Sequence, residues 1–266
     1  MRIATSTLFF WEYPILKILD IFKEIGLKCI EFFPENPDFW DNRFNIDYLC
    51  EVIKELKKFE IAVHNPHIEL NPSSLNPYVR EGTLKETLWA IDLANNLNSR
   101  ILTIHPGRRP VSREPTEEEY EHFYRYLKNI LEYSKDKDLF ICMENMPKKI
   151  YRIGWKVEDI DNILKRFDNL YLTLDFAHAK NYANIFVEKF NKKIKHVHIS
   201  GVKNGKDHYP LKYSEIDVLT PLKKLLDYGY RGIITLELDD RRIKEHSKEY
   251  KIKVLLEDIE LLESII

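Results

Sequence analysis

Short apolar runs alternate with longer amphipathic stretches along the whole chain. The runs are RIATST (2–7), CIEFF (29–33), IAVHNP (61–66), RILTIHP (100–106), LFICMEN (139–145), LYLTLDF (170–176), IKHVHIS (194–200) and GIITLEL (232–238). Their length and β-branched content predict buried strands. Between them, PILKILDIFKEIG, NIDYLCEVIKELKKF, TEEEYEHFYRYLKNILEYS and LTPLKKLLDYG place apolar residues three and four apart. That spacing predicts helices with one buried face. The closing YKIKVLLEDIELLESII supplies the eighth. Eight βα units over residues 1–266, with no linker or shift in composition, predict an α/β protein of one domain, a (β/α)₈ barrel. A doubly wound open sheet is the alternative, but its first turn is often Gly-rich and TSTLFFWEY is not. Segments 65–81, 106–116 and 201–217 follow strands and are long, so a barrel sets all three on its functional face.

Composition narrows the possibilities. The chain has 266 residues, 44% hydrophobic, which is ample for one large core. Lys plus Arg number 41 and Asp plus Glu 43, so a strongly basic nucleic-acid binder is not indicated. Cys29, Cys50 and Cys142 are too few and too scattered for a disulfide framework. No signal peptide and no apolar stretch of membrane-spanning length is present, so a cytoplasmic protein is expected.

The chemistry collects at the strand ends. Glu31, His64, His105, Glu144, Asp175, His198 and Glu237 stand at or near the C-termini of seven different strands. In a barrel these ends converge on one mouth. Strand side chains alternate, so Ala62, Thr103, Cys142, Thr173, His196 and Thr235 share the inward face one layer below. Any one polar strand end is ordinarily a solvated loop residue, but seven together are hard to read that way. Carboxylates and imidazoles crowded at one point suit a divalent cation, which removes their mutual repulsion. His67, His122 and His246 are read as ordinary surface or helix residues, and His196 as a core histidine or a partner of His198. Arg108, Arg109, Lys148 and Lys149 follow His105 and Glu144, and Lys203 and Lys206 follow His198. Basic clusters on the same mouth predict an anionic or polyhydroxylated substrate.

TIHPG, CMENMP, LDFAHA, HVHIS and ITLELD, in this order, resemble the motifs of the xylose isomerase-like TIM barrels. That superfamily includes sugar-phosphate isomerases and epimerases, inosose dehydratases and endonuclease IV. The resemblance implies a divalent ion (Zn, Mn, Co or Mg) held by Glu144, Asp175, His198 and Glu237. In the epimerases it also implies that Glu144 and Glu237 do acid–base work through an enediolate, from opposite faces of a sugar bound through O2 and O3. Glu31 in the second strand looks like the isomerase branch and joins the substrate-binding candidates. The expected partner is a sugar or sugar phosphate, in a chain free to form homo-oligomers.

Endonuclease IV is the rival, acting at abasic sites in DNA. Its resemblance implies His64 and His105 at a first zinc with Glu144 bridging, and His178 at a third. Its Asp-x-His motif falls on GKDHYPL, where His208 fits, Lys206 stands in the aspartate place and Asp207 is one residue out of register. Its Gly-rich loop is replaced by MPKKIYRIGW, and Gly201 stands where it has an aspartate. A third reading is a non-catalytic sugar-binding barrel, against which the intact set of Glu144 and Glu237 argues.

Overall fold

The computed structural model describes residues 2–265. The barrel strands are β1 (Arg2–Ser6), β2 (Cys29–Phe32), β3 (Glu60–His64), β4 (Ile101–Ile104), β5 (Phe140–Glu144), β6 (Leu170–Asp175), β7 (Ile194–Ile199) and β10 (Ile233–Leu236). All pair in parallel, and β10 closes the barrel against β1 in the order β1-β10-β7-β6-β5-β4-β3-β2. Two further strands, β8 (Gly201–Lys203) and β9 (Lys206–Tyr209), form an antiparallel hairpin within the long segment after β7.

Apolar stripes lock the helices to the barrel wall. In the helix Ile15–Glu24, Ile15, Ile18, Leu19 and Phe22 are fully buried. Their spacing of three and four gives one apolar face. A capping box opens the helix Glu117–Ser134, where Thr116 N–H donates to Glu119 at 2.8 Å. Inside the barrel, Ala4, Cys29, Ala62, Ile101, Cys142 and Ile233 plug the lower end. Of the layer expected beneath the strand ends, Ala62 and Cys142 belong to this plug, and Thr103 and Thr173 meet through hydroxyls 2.9 Å apart. Among the described residues, no helix is long and apolar enough to cross a membrane.

The β8–β9 hairpin was hidden within a predicted loop. Its turn is Asn204–Gly205, both at positive φ, 50° and 71°. That pair favours a tight hairpin, so the Asn-Gly in VKNGKD was a usable signal. Gly201 lets the hairpin fold close, since a Cβ there would lie 2.6 Å from Pro210 O.

Candidate active site at the strand ends

Register decides which side chains share a level. Asp175 pairs with His198, and His198 with Thr235. Glu144 and Glu237 reach the same point from β5 and from just beyond β10. Ligand atoms of Glu144, Asp175, His198 and Glu237 lie within 4.8 Å of one another, and all four residues are buried.

The donor atoms left free are informative. Four histidines at this centre each have one ring nitrogen occupied. His64 Nδ1 faces Asn65 O at 2.9 Å, His178 Nδ1 faces Asn145 O at 3.0 Å, and His208 Nδ1 faces Glu237 O at 3.0 Å. His198 is turned the other way, with Nε2 2.9 Å from Glu31. A nitrogen that donates to oxygen leaves the other nitrogen of a neutral ring as a lone pair. At this centre, the buried atoms without a hydrogen-bond partner among the described residues include His64 Nε2, His198 Nδ1, both Glu144 oxygens, Asp175 Oδ2 and Glu237 Oε2. Buried polar atoms are ordinarily satisfied. Here they converge, and they are the donor types a divalent cation takes. The site therefore fits a metal ion.

The Asp-x-x-His spacing of LDFAHA now has a physical reason. Asp175 ends β6 and caps the short helix Phe176–Ala179, its Oδ1 accepting from His178 N at 2.7 Å. Oδ2 stays free for the centre. Asn145 holds the backbone of Asp175 through two bonds, 2.7 and 2.9 Å. Asp175 thus serves the chain with one oxygen and the centre with the other.

Without a cation, protons supply the positive charge. Burial opposes charge on His178, but Asp175 and Glu144 outweigh it and raise its pKa to about 10. Burial likewise opposes charge on His198, yet Glu31, Glu237 and Glu144 hold it well above the usual imidazole range. Glu144 is driven upward by burial but held well below the usual carboxylate range by the neighbouring histidines; burial pushes His105 itself down to about 3, so the positive charge beside Glu144 is that of His198 and His178. Burial lifts Asp175 to about 6. A cation held by these donors would take over this role in place of the protons.

Two further clusters flank the centre. His64, His67 and His105 bring ligand atoms within 4.8 Å, as do His178, Asp207 and His208. Glu144 faces two sides: Oε2 lies 2.8 Å from His105 Nε2, and Oε1 lies 3.5 Å from His198 Nδ1.

Several expectations need correction. Glu31 does not reach the mouth. It pairs with Ala62, one layer below His64, and its carboxylate contacts His196 at 3.1 Å and His198 at 2.9 Å. It is a support for His198, and Phe33 takes the level of the mouth beside the His64 ring. His67 is not an ordinary surface residue: its ring centroid is 4.1 Å from that of His105, and Glu35 lies 3.3 Å from its Nδ1. His122 is buried on its helix, whereas His246 is exposed. Asp207 is not lost to its register. His208 adopts φ 63°, which breaks the strand alternation, and Asp207 Oδ2 lies 3.6 Å from His178 Nε2.

Above the centre is a cavity of about 430 Å³. Arg108 lines it, but Arg109, Lys148 and Lys149 do not. Arg109 turns to Glu114 O at 2.9 Å, Lys148 lies over the Trp155 ring, and Lys149 is exposed. Arg152, Arg241 and Arg242 line the wall instead. Sequence spacing did not single them out, because each reaches the mouth through a loop fold.

A closed barrel with carboxylate and imidazole donors converging at its strand ends defines the class: a barrel with a candidate metal-binding site at its C-terminal face. The chain belongs to the xylose isomerase-like TIM barrel family, whose sequence profile matches residues 19–265. It is 60% identical to an uncharacterized protein of Methanocaldococcus jannaschii, over 100% of both chains. It is similar to a D-tagatose 3-epimerase-like protein of known structure, with a TM-score of 0.78 and 27% identity over 99% of each chain. It is also 27% identical to a probable endonuclease 4 of Thermosipho africanus, over 68% of this chain and 71% of that one.

Proposed function

We propose that the protein is a divalent-metal-dependent sugar or sugar-phosphate isomerase or epimerase. The observation that carries this reading is the pair Glu144 and Glu237, whose unpartnered oxygens face one centre at the floor of a small cavity. About 430 Å³ suits a small molecule. Likeness to the D-tagatose 3-epimerase-like protein along the full chain supports it. Glu144, Asp175, His198 and Glu237 would hold the ion. When bound, it supplies positive charge beside a substrate carbonyl and so acidifies the adjacent C–H. One glutamate takes that proton and the other, protonated beforehand, gives its own proton to the carbon from the opposite side, a task that needs two carboxylates on different strands.

The test is an incubation with ketoses and their phosphates in D₂O with added Mn²⁺. Deuterium should enter the carbon beside the carbonyl as the epimer forms. No exchange with any ketose would remove the reading.

A second reading is hydrolysis of a phosphodiester at abasic sites in DNA. Convergence of His178, Asp207 and His208 beside the centre favours it, as does the likeness to the probable endonuclease 4. Efficient nicking of abasic duplex DNA, with no exchange into sugars, would establish it in place of the first.

A further inference from the structure

Arg108 and Arg152 form a cross-strand pair. Arg109 N donates to Tyr151 O at 2.8 Å, and Ile153 N donates to Gly107 O at 3.0 Å. These two bonds flank an antiparallel bridge in which Arg108 faces Arg152. The two arginines do not bond each other's backbone, and such facing pairs bring their side chains closest. Like charges directly opposite each other destabilise a bridge. Among the described residues, neither guanidinium is paired with a carboxylate, whereas Arg109 approaches Glu119 and Arg241 binds Asp239.

The bridge is held rigidly from below. Asn71 is buried, accepts from Arg108 N at 3.0 Å and donates to Arg108 O at 2.7 Å. Gly107 sits against Ser73 so tightly that a Cβ would fall 1.7 Å from its Oγ. The backbone bearing both arginines is thus fixed, and both side chains line the cavity wall, Arg108 three residues beyond His105. Although much of Arg108 is open to solvent, partial burial and the charge of Arg152 lower its pKa.

We infer that Arg108 and Arg152 form a phosphate-binding subsite, so that the substrate is a small phosphorylated sugar. A phosphoryl group between them relieves the repulsion and accepts bidentate bonds from both forks, the recognition for which guanidinium is suited. The cavity size favours a small phosphate ester over a duplex. This inference rests on the sugar reading above for the rest of the substrate, and on the arginine pair alone for the phosphate.

The test is equilibrium binding by calorimetry with the full-length, metal-loaded protein. The probes are inorganic phosphate, a ketopentose 5-phosphate, the free ketopentose and an abasic DNA duplex. Arg108→Gln and Arg152→Gln should each weaken phosphate and sugar-phosphate binding by about tenfold or more, as losing a charge-assisted bond does. Free ketopentose should bind all variants alike, and Lys149→Gln should match the wild type. Phosphate binding unchanged in both arginine variants would overturn the subsite. So would equal losses for the free ketopentose, or a loss confined to the duplex. No turnover is read, so failure of the epimerase reading leaves this result legible.

Discussion

Glu144→Gln and Glu237→Gln are each expected to stop turnover while the barrel stays folded. Both side chains are buried at the centre, and both have oxygens that no hydrogen bond satisfies. Gln keeps the shape but loses the charge and cannot carry the proton. Loss of a general acid or base alone costs roughly 10²–10⁴ in rate. Loss of a donor to the cation adds to that. The fold should survive, because both carboxylates face a side chain of the site rather than the backbone: Glu237 and Glu144 lie 3.0 and 3.5 Å from His198 Nδ1. The check is turnover of the best ketose alongside thermal unfolding. Full activity in either variant would remove that residue from the chemistry.

Glu31→Gln should weaken metal binding without touching the ion. Glu31 lies one layer below the centre and accepts from His198 Nε2, which fixes Nδ1 toward Glu144 and Glu237. His196 leans on the same carboxylate at 3.1 Å. A glutamine can accept through one atom only, and its NH₂ would confront a ring N–H. Supports of this kind are typically worth 10–100-fold in metal affinity. Competition with a chromophoric chelator measures it. Affinity equal to the wild type would show that Glu31 only fills space.

The fold was legible because the hydrophobic period changes from strand to helix eight times without interruption. The centre was legible because its four members end strands, where alternation fixes the facing. Glu31 was misplaced by one layer because a barrel's stagger is not written in any one strand; only pairing with Ala62 sets its height. His67, Arg152, Arg241 and Arg242 lie outside the strands, and Asp207 lies on the added strand β9. His67 reaches the site through a contact with Glu35, thirty-odd residues away in the chain, and Asp207 through the left-handed turn at His208. The Asn-Gly turn at 204–205 announced the hairpin, but not where its second strand would aim.

The central claim is a divalent ion held by Glu144, Asp175, His198 and Glu237. Elemental analysis after dialysis of the metal-loaded protein tests it directly, with Asp175→Asn measured in parallel. One tightly held ion per chain, retained by the wild type and lost by Asp175→Asn, is the predicted result, with any ion at the flanking histidine clusters held more weakly. No retained ion in the wild type, or equal retention in the folded variant, would contradict the account.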